Sequence, residues 1–308
     1  MLHDLRPPSD EYPVIGHRLG LHAAETPECK QAVGSWTGPA PCFRIGEEMT
    51  LRRSEAAVQA ERQPREVATI EAMVADPESA RLRRDWTRHA ARHGYSYNFS
   101  WLGVPIIQYP EDIVILQELL WRSEPDLVIE TGIAYGGSLL LSASILRLLG
   151  GEREVLGIDV DIRTHARSTL STHPLASAIS TIEGNSIAPE VVERVRQFAG
   201  RHDRIFVVLD SNHAGDHVAS ELAIYGEFVS EGSYLVVMDT IIEDLPADAF
   251  EDRPWGPGDN PSTAVENFLR ANDRFERARD VNDRLLASSA PGGYLVRVAD
   301  RTAGDVPS

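Results

Sequence analysis

The sequence predicts an α/β protein whose mostly parallel sheet is covered by helices on both faces. Three observations carry that expectation: short, continuously apolar runs, helical segments between them, and glycine or acidic residues where the runs stop. An apolar run with no polar alternation cannot leave a face to water, so such strands belong to a sheet with two covers. At 308 residues the chain suits one large domain with an appendage.

The elements follow in order. Residues 1–45 are rich in Pro, Gly and scattered polar residues and read as an irregular arm. Over 46–93 Ala, Glu and Arg dominate, as in two or three helices broken near Pro64 and Pro77. Residues 1–93 are thus expected to form an N-terminal arm and helical extension, and 94–308 the main domain. DLVIETG (126–132) is a short strand stopped by a glycine, and SLLLSASILRLLGG (138–151) is a helix with a glycine pair suited to its C-cap. EVLGIDVD (154–161) is the second strand and ISTIEGN (179–185) the third, followed by a helix over APEVVERVRQFAG. RIFVVLD (204–210) leads into a helix over HVASELAIYGEFV, SYLVVMD (233–239) is the fifth strand, and GGYLVRV (292–298) is the last.

Composition excludes several classes. Acidic side chains outnumber basic ones 47 to 30, for a net charge of −17. Phosphate binding needs a basic face, so neither nucleic acid nor an anionic membrane surface is an expected partner. No window has the apolar length of a membrane span, and the first residues lack a secretory pattern. Cys29 and Cys42 fit neither a zinc framework nor a disulfide scaffold. A cytoplasmic location is the expectation.

Ligands of such sheets bind outside the carboxyl ends of the strands, where the strand order reverses. Those ends carry Glu130, Asp159, Gly184, Asp210 and Asp239, and a buried strand needs no carboxylate to end it. After the first strand runs E-T-G-I-A-Y-G-G-S, whose glycines at 132, 136 and 137 let the backbone turn sharply and approach a ligand. The spacing is not G-x-G-x-x-G, which disfavours a nicotinamide enzyme. Asp159 can accept both ribose hydroxyls of a nucleoside, with Asp161 as a competitor on the same side. Gly184, Asn185 and Ser186 fall where adenine contacts are expected. Together these stations point to a nucleoside cofactor; singly, each fits an ordinary turn.

Quoted as they stand, YSYNFSWLGVPIIQYPED, IETGIAYGGSL, GIDVDIR, LDSNHAGDHV, GSYLVVMDTIIEDLP and RPWGPGDNP resemble the cephalosporin hydroxylase family over roughly 94–298. The resemblance implies a Rossmann-like class I methyltransferase fold and a methyltransferase domain over 94–308. It implies an S-adenosylmethionine-dependent O-methyltransferase, since the group includes rhamnosyl O-methyltransferases and relatives in antibiotic biosynthesis. The implied acceptor is a hydroxyl, first of all a sugar hydroxyl, of a glycosylated natural product. The implied cofactor contacts are Glu130, Thr131, Gly132, Tyr135, Gly136, Ser138, Asp159, Asn185, Ser186 and Asp210. Relatives usually assemble, so a homo-oligomer is also expected.

Metal-dependent O-methyltransferases place an aspartate at the end of the fourth strand, a base three residues on, and an acidic pair after the fifth strand. By that resemblance Asp210 is a metal ligand, His213 the general base, and Asp239 the second residue of the pair. The first residue of the pair is Met238, a thioether that Mg²⁺ does not favour. Either Asp239 and water complete the shell, or Glu243 or Asp244 reaches in, or the metal is weak or absent. For His213 the competing expectation is a loop histidine bonded to a neighbour. His217, one turn further, is expected to support the site or lie exposed. Tyr97, Trp101 and Trp255 are expected to wall the acceptor side, Trp255 from a long insertion over 244–263. Ordinary aromatic packing is their alternative, and Glu221 and Glu227 read as solvated. The alternative function is a cofactor-binding partner in a tailoring complex, without methyl transfer of its own.

Overall fold

The computed structural model describes residues 66–299, of which 71–299 belong to one compact unit. The expected arm, the helical stretch before residue 66, and both cysteines lie outside the described residues. A helix covers 66–75, and helix α1 (Pro77–Arg92) follows at once. Asp76 starts α1 by accepting from the Glu78 amide at 2.9 Å, and Pro77 occupies the first helical position. That amide would lack an intrahelical partner anyway, so the proline costs nothing there. Gly94, in the left-handed region at φ 57°, then leads into a short hairpin of β1 (Phe99–Trp101) and β2 (Val104–Ile106).

Helix α2 (Pro110–Ser123) introduces the main sheet, which alternates as expected: β3 (Leu127–Thr131), α3 (Gly137–Leu149), β4 (Glu154–Asp159), α4 (Thr164–Thr172), β5 (Ile179–Glu183), α5 (Pro189–Ala199), β6 (Ile205–Leu209), α6 (Gly215–Tyr225) and β7 (Tyr234–Val237). Helix α7 (Pro261–Ala271), β8 (Phe275–Arg277), α8 (Arg279–Asn282) and β9 (Tyr294–Arg297) complete it. The described residues form a seven-stranded sheet in the order β5-β4-β3-β6-β7-β9-β8. Pairings from β5 through β7 are parallel, while β9 runs antiparallel to β7 and β8. The chain leaves β3 toward β4 on one side and returns to β6 on the other, so the crevice of such sheets opens above β3 and β6.

Every residue of β3, β6 and β7 is buried, which is why these runs carry no polar alternation. One apolar cluster unites Ile115, Leu119 and Leu120 of α2 with Leu139, Leu140 and Leu146 of α3 on one face. The other face packs Val191 and Val195 of α5, Val218 and Leu222 of α6, and Val265 of α7. Full burial of one such side chain is worth about 1.5–3 kcal/mol, so these stripes hold the helices to the sheet. Helix α7 and strand β8 are among the elements that read as loop or go unread in the sequence. Helix α7 starts inside the proline- and glycine-rich insertion because Asn260 caps it, accepting from Ser262 N at 2.8 Å and Thr263 N at 3.4 Å while Thr263 bonds back. Strand β8 is three residues with one buried side chain, too short to show a period.

Candidate active site

The carboxyl ends of the central strands meet in two cavities. One, about 500 Å³, lies beside Asp159, Gly184, Ser186, Asp210, His213 and Trp255. The other, about 380 Å³, is lined by Tyr97, His213, Asp239 and the segment after β7. His213 is the residue that lines both.

The glycine loop forms one rim. Gly132 sits at φ 90°, and a Cβ placed there would fall 2.0 Å from the Asp210 carbonyl oxygen. Only glycine lets the β3 loop cross so close to the end of β6. Thr131 is fully buried and its carbonyl accepts the Asp210 amide at 2.9 Å, tying the same two ends together. Gly136, also at φ 90°, opens α3. Glu130 is buried and accepts the Ser138 hydroxyl. Burial pushes its carboxyl up to about 8, because a charge there loses its hydration. Tyr135 packs its ring 5.0 Å from that of His165 and borders a small adjoining cleft instead of the larger cavity.

Asp159 braces the loop. Its Oδ2 accepts the Ile133 amide at 2.8 Å and its Oδ1 the Asp161 amide at 3.1 Å. Asp161 is exposed and also lines the larger cavity. Asn185 accepts the Ile187 amide at 3.2 Å and faces solvent, whereas Ser186 is buried. The Ser186 hydroxyl lies 3.1 Å from His217 Nε2, and its carbonyl accepts the Tyr225 hydroxyl at 2.8 Å.

His213 is 3% exposed, with Nε2 3.2 Å from Asp239 Oδ2, and its ring meets Trp255 edge-on at 5.3 Å. Burial pushes the imidazole down to about 3, so it is neutral at physiological pH. Asp239 holds its carboxylate at this spot from a left-handed backbone, φ 57°, which aspartate tolerates better than most residues. Burial first, then the charges of Asp239 and Glu130, hold Asp210 well above the usual carboxylate range.

The remaining expected residues divide. Tyr97 lines the second cavity and Trp255 the first. Trp101 donates from Nε1 to the Ser144 hydroxyl at 3.1 Å, packs on the apolar core and lines neither cavity. The exposed Glu243 accepts Gly258 N at 2.9 Å and Asn260 Nδ2 at 2.6 Å, so it secures the loop before α7 and borders neither cavity. Met238 is buried in the core and supplies no oxygen to the site. One expectation is corrected outright: Glu221 is not solvated but fully buried. It accepts the Ser211 hydroxyl at 2.7 Å and lies 3.5 Å from His217 Nε2, under the larger cavity. Glu227 is exposed, as expected, and paired with Arg274. Sequence reasoning also missed Arg253, which lines the larger cavity with its guanidinium 5.6 Å over the Trp255 ring. Its only signal was the RPWG segment already singled out for the tryptophan.

A parallel sheet with an antiparallel β9–β8 edge, a glycine loop after β3 and a carboxylate ending β4 are the features of a class I methyltransferase fold. The family that the chain matches makes it an S-adenosylmethionine-dependent O-methyltransferase. The chain belongs to the family described as rhamnosyl O-methyltransferase/CmcI, whose model matches residues 93–298. It is 30% identical over 205 residues to a rhamnosyl O-methyltransferase of Mycobacterium tuberculosis (strain ATCC 25618 / H37Rv), covering 64% of this chain and 78% of that protein. The corresponding enzyme of Mycobacterium leprae (strain TN) is 31% identical over 203 residues, covering 64% and 82%. A solved structure described as cmcI-D160 Mg-SAM shares the fold at TM-score 0.50 and 17% identity, over 66% of this chain and 78% of that one. No helix among the described residues is long and apolar enough to cross a membrane.

Proposed function

We propose that the protein transfers the methyl group of S-adenosylmethionine to a hydroxyl of a glycosylated small molecule, with His213 as the general base. The observation that carries this is the place of His213 in the wall shared by the two cavities. A base between donor and acceptor can take the hydroxyl proton as the oxygen attacks. The relatives named rhamnosyl O-methyltransferase support a sugar as the hydroxyl's carrier.

The larger cavity falls in the size range of small-molecule sites. Asp159 borders it with a carboxylate suited to ribose hydroxyls, and Gly132 at its rim lets the β3 loop pass against the Asp210 carbonyl, where a Cβ would clash. When bound, the cofactor supplies a sulfonium-activated methyl group, so the chain need only orient and deprotonate the acceptor. His213 is neutral and can accept a proton. Its Nε2 lies 3.2 Å from Asp239 Oδ2, so a proton taken from the acceptor hydroxyl would be held beside a carboxylate.

For Mg²⁺ the donor set is two carboxylates, Asp210 and Asp239, since Met238 and Glu243 do not join it. Among the described residues no group of three His, Cys, Asp or Glu is arranged around a metal position. Two carboxylates still suit Mg²⁺, which keeps several waters and takes substrate oxygens, and positive charge there would offset the burial of Asp210. Asp210 and Asp239 would hold the ion, which when bound lowers the pKa of the acceptor hydroxyl.

The test is His213→Ala, assayed for methyl transfer across a panel of glycosides. Turnover is expected to fall about 10²–10⁴-fold while S-adenosylmethionine binding, followed by calorimetry, stays within twofold or so of the parent. A variant that keeps full turnover removes His213 from the role.

A further inference from the structure

The second cavity has a composition unlike a plain sugar site. Its walls are Ala91 from α1 with Ile242, Leu245, Ala249 and Phe250 from the segment after β7. Tyr97, His213 and Asp239 give a sugar hydroxyl polar partners on one side, while these walls suit an apolar group on the same molecule.

Two guanidinium groups complete the lining. Arg88 and Arg92 lie one turn apart on α1, on the same face, and both border the cavity while remaining exposed. Neither has an ion-pair or hydrogen-bond partner among the described residues. Some arginines elsewhere are paired, Arg81 with Glu78 and Asp85, Arg122 with Asp280, Arg167 with Glu183, Arg196 with Glu193, and others among the described residues, such as Arg84 and Arg147, are not. What sets Arg88 and Arg92 apart is that both border this cavity. Asp248 borders the same cavity and lies beyond ion-pair distance of either arginine. Two like charges one turn apart repel each other on a helix, and an anion set between them removes that penalty. Helix α1 also ends before residue 93, where the family match begins, so this wall is supplied by a part of the chain outside that match.

We infer that the acceptor carries an oxyanion, a carboxylate on an otherwise apolar body, and that Arg88 and Arg92 bind it while the methylated hydroxyl points to His213. This rests on reading the second cavity as the acceptor side. Arginine forks match carboxylate geometry, and charge-assisted bonds of this kind are stronger than neutral ones.

Calorimetry on the full chain saturated with S-adenosylhomocysteine tests it with two matched pairs. One is phenyl β-glucuronide against phenyl β-glucoside, and the other is 3,4-dihydroxybenzoate against its methyl ester. The acid member is expected to bind about tenfold more tightly in at least one pair. The double variant Arg88→Gln/Arg92→Gln is expected to erase that difference while binding S-adenosylhomocysteine as the parent does. Equal affinities within both pairs, no detectable binding of either acid, or a preference that survives the double variant each overturns the inference. Methyl transfer is measured in parallel. An arginine-dependent preference for the acids with no transfer to either supports the anion site and counts instead against the proposed reaction.

Discussion

Glu130 shows how a single buried group ties function to stability. It ends β3 beneath the glycine loop, and burial lifts its carboxyl from the ordinary 4.5 to about 8. Below 4.5 the folded and unfolded chains both keep the proton; between 4.5 and about 8 only the folded chain does. Unfolding then releases a proton, so Glu130 makes the fold less stable as pH rises across that window. The effect is on the order of a few kcal/mol. Glu130→Gln is expected to lose this slope, so that the two proteins' urea midpoints diverge from pH 5 to pH 8, the variant being the more stable at the alkaline end. Parallel slopes would mean that Glu130 is charged in the fold. The strand-end acids were legible because nothing but function or a network explains a carboxylate there. Glu221 was not, since a glutamate at a helical position gives no sign of whether it faces water or a neighbouring serine and histidine. Met238 was legible as a departure, but only packing shows that it belongs to the core.

At the scale of elements, the parallel strands were readable because burial on both faces leaves an apolar run with sharp ends. The last strand was read from GGYLVRV, whereas helix α2 and strand β8 depend on long-range contacts that no local pattern announces. Asp112 makes the clearest of these. It is fully buried on α2 and accepts Ser288 Oγ at 2.6 Å, Ser289 N at 2.7 Å, Ser289 Oγ at 2.9 Å and the Tyr294 hydroxyl at 2.7 Å. Those bonds fasten the turn before β9, and β9 in turn pairs with β7, which delivers Asp239. Burial pushes the carboxyl upward while its four donors pull it back. Asp112→Ala would orphan several buried donors, at about 1–3 kcal/mol for each one left unsatisfied. A loss of about 2–4 kcal/mol in urea unfolding is expected, and a change below about 0.5 kcal/mol would show that the turn is held by other contacts.

Across the described residues, the order of the sheet sets two cavities on either side of one histidine. The crevice above β3 and β6 opens toward Asp159 and Ser186, while the end of β7 and the last turn of α1 enclose the other cavity. Apart from His213 the two linings have no residue in common, so each side can be closed without the other. Gly132→Ala adds a methyl that must meet the Asp210 carbonyl at 2.0 Å, so the rim of the larger cavity has to shift. Ala91→Trp fills the second cavity from α1, away from Asp159. A ligand at about 100 times its Kd adds about 2.7 kcal/mol to the folded state. For a chain of this size that corresponds to a rise of several degrees in Tm, on the order of 5 °C. S-adenosylhomocysteine is therefore expected to raise the Tm of the parent and of Ala91→Trp alike, and to leave Gly132→Ala nearly unmoved. Differential scanning calorimetry with and without the ligand reads all three. A shift lost in Ala91→Trp, or kept in Gly132→Ala, would mean that the cofactor lies in the cavity assigned to the acceptor.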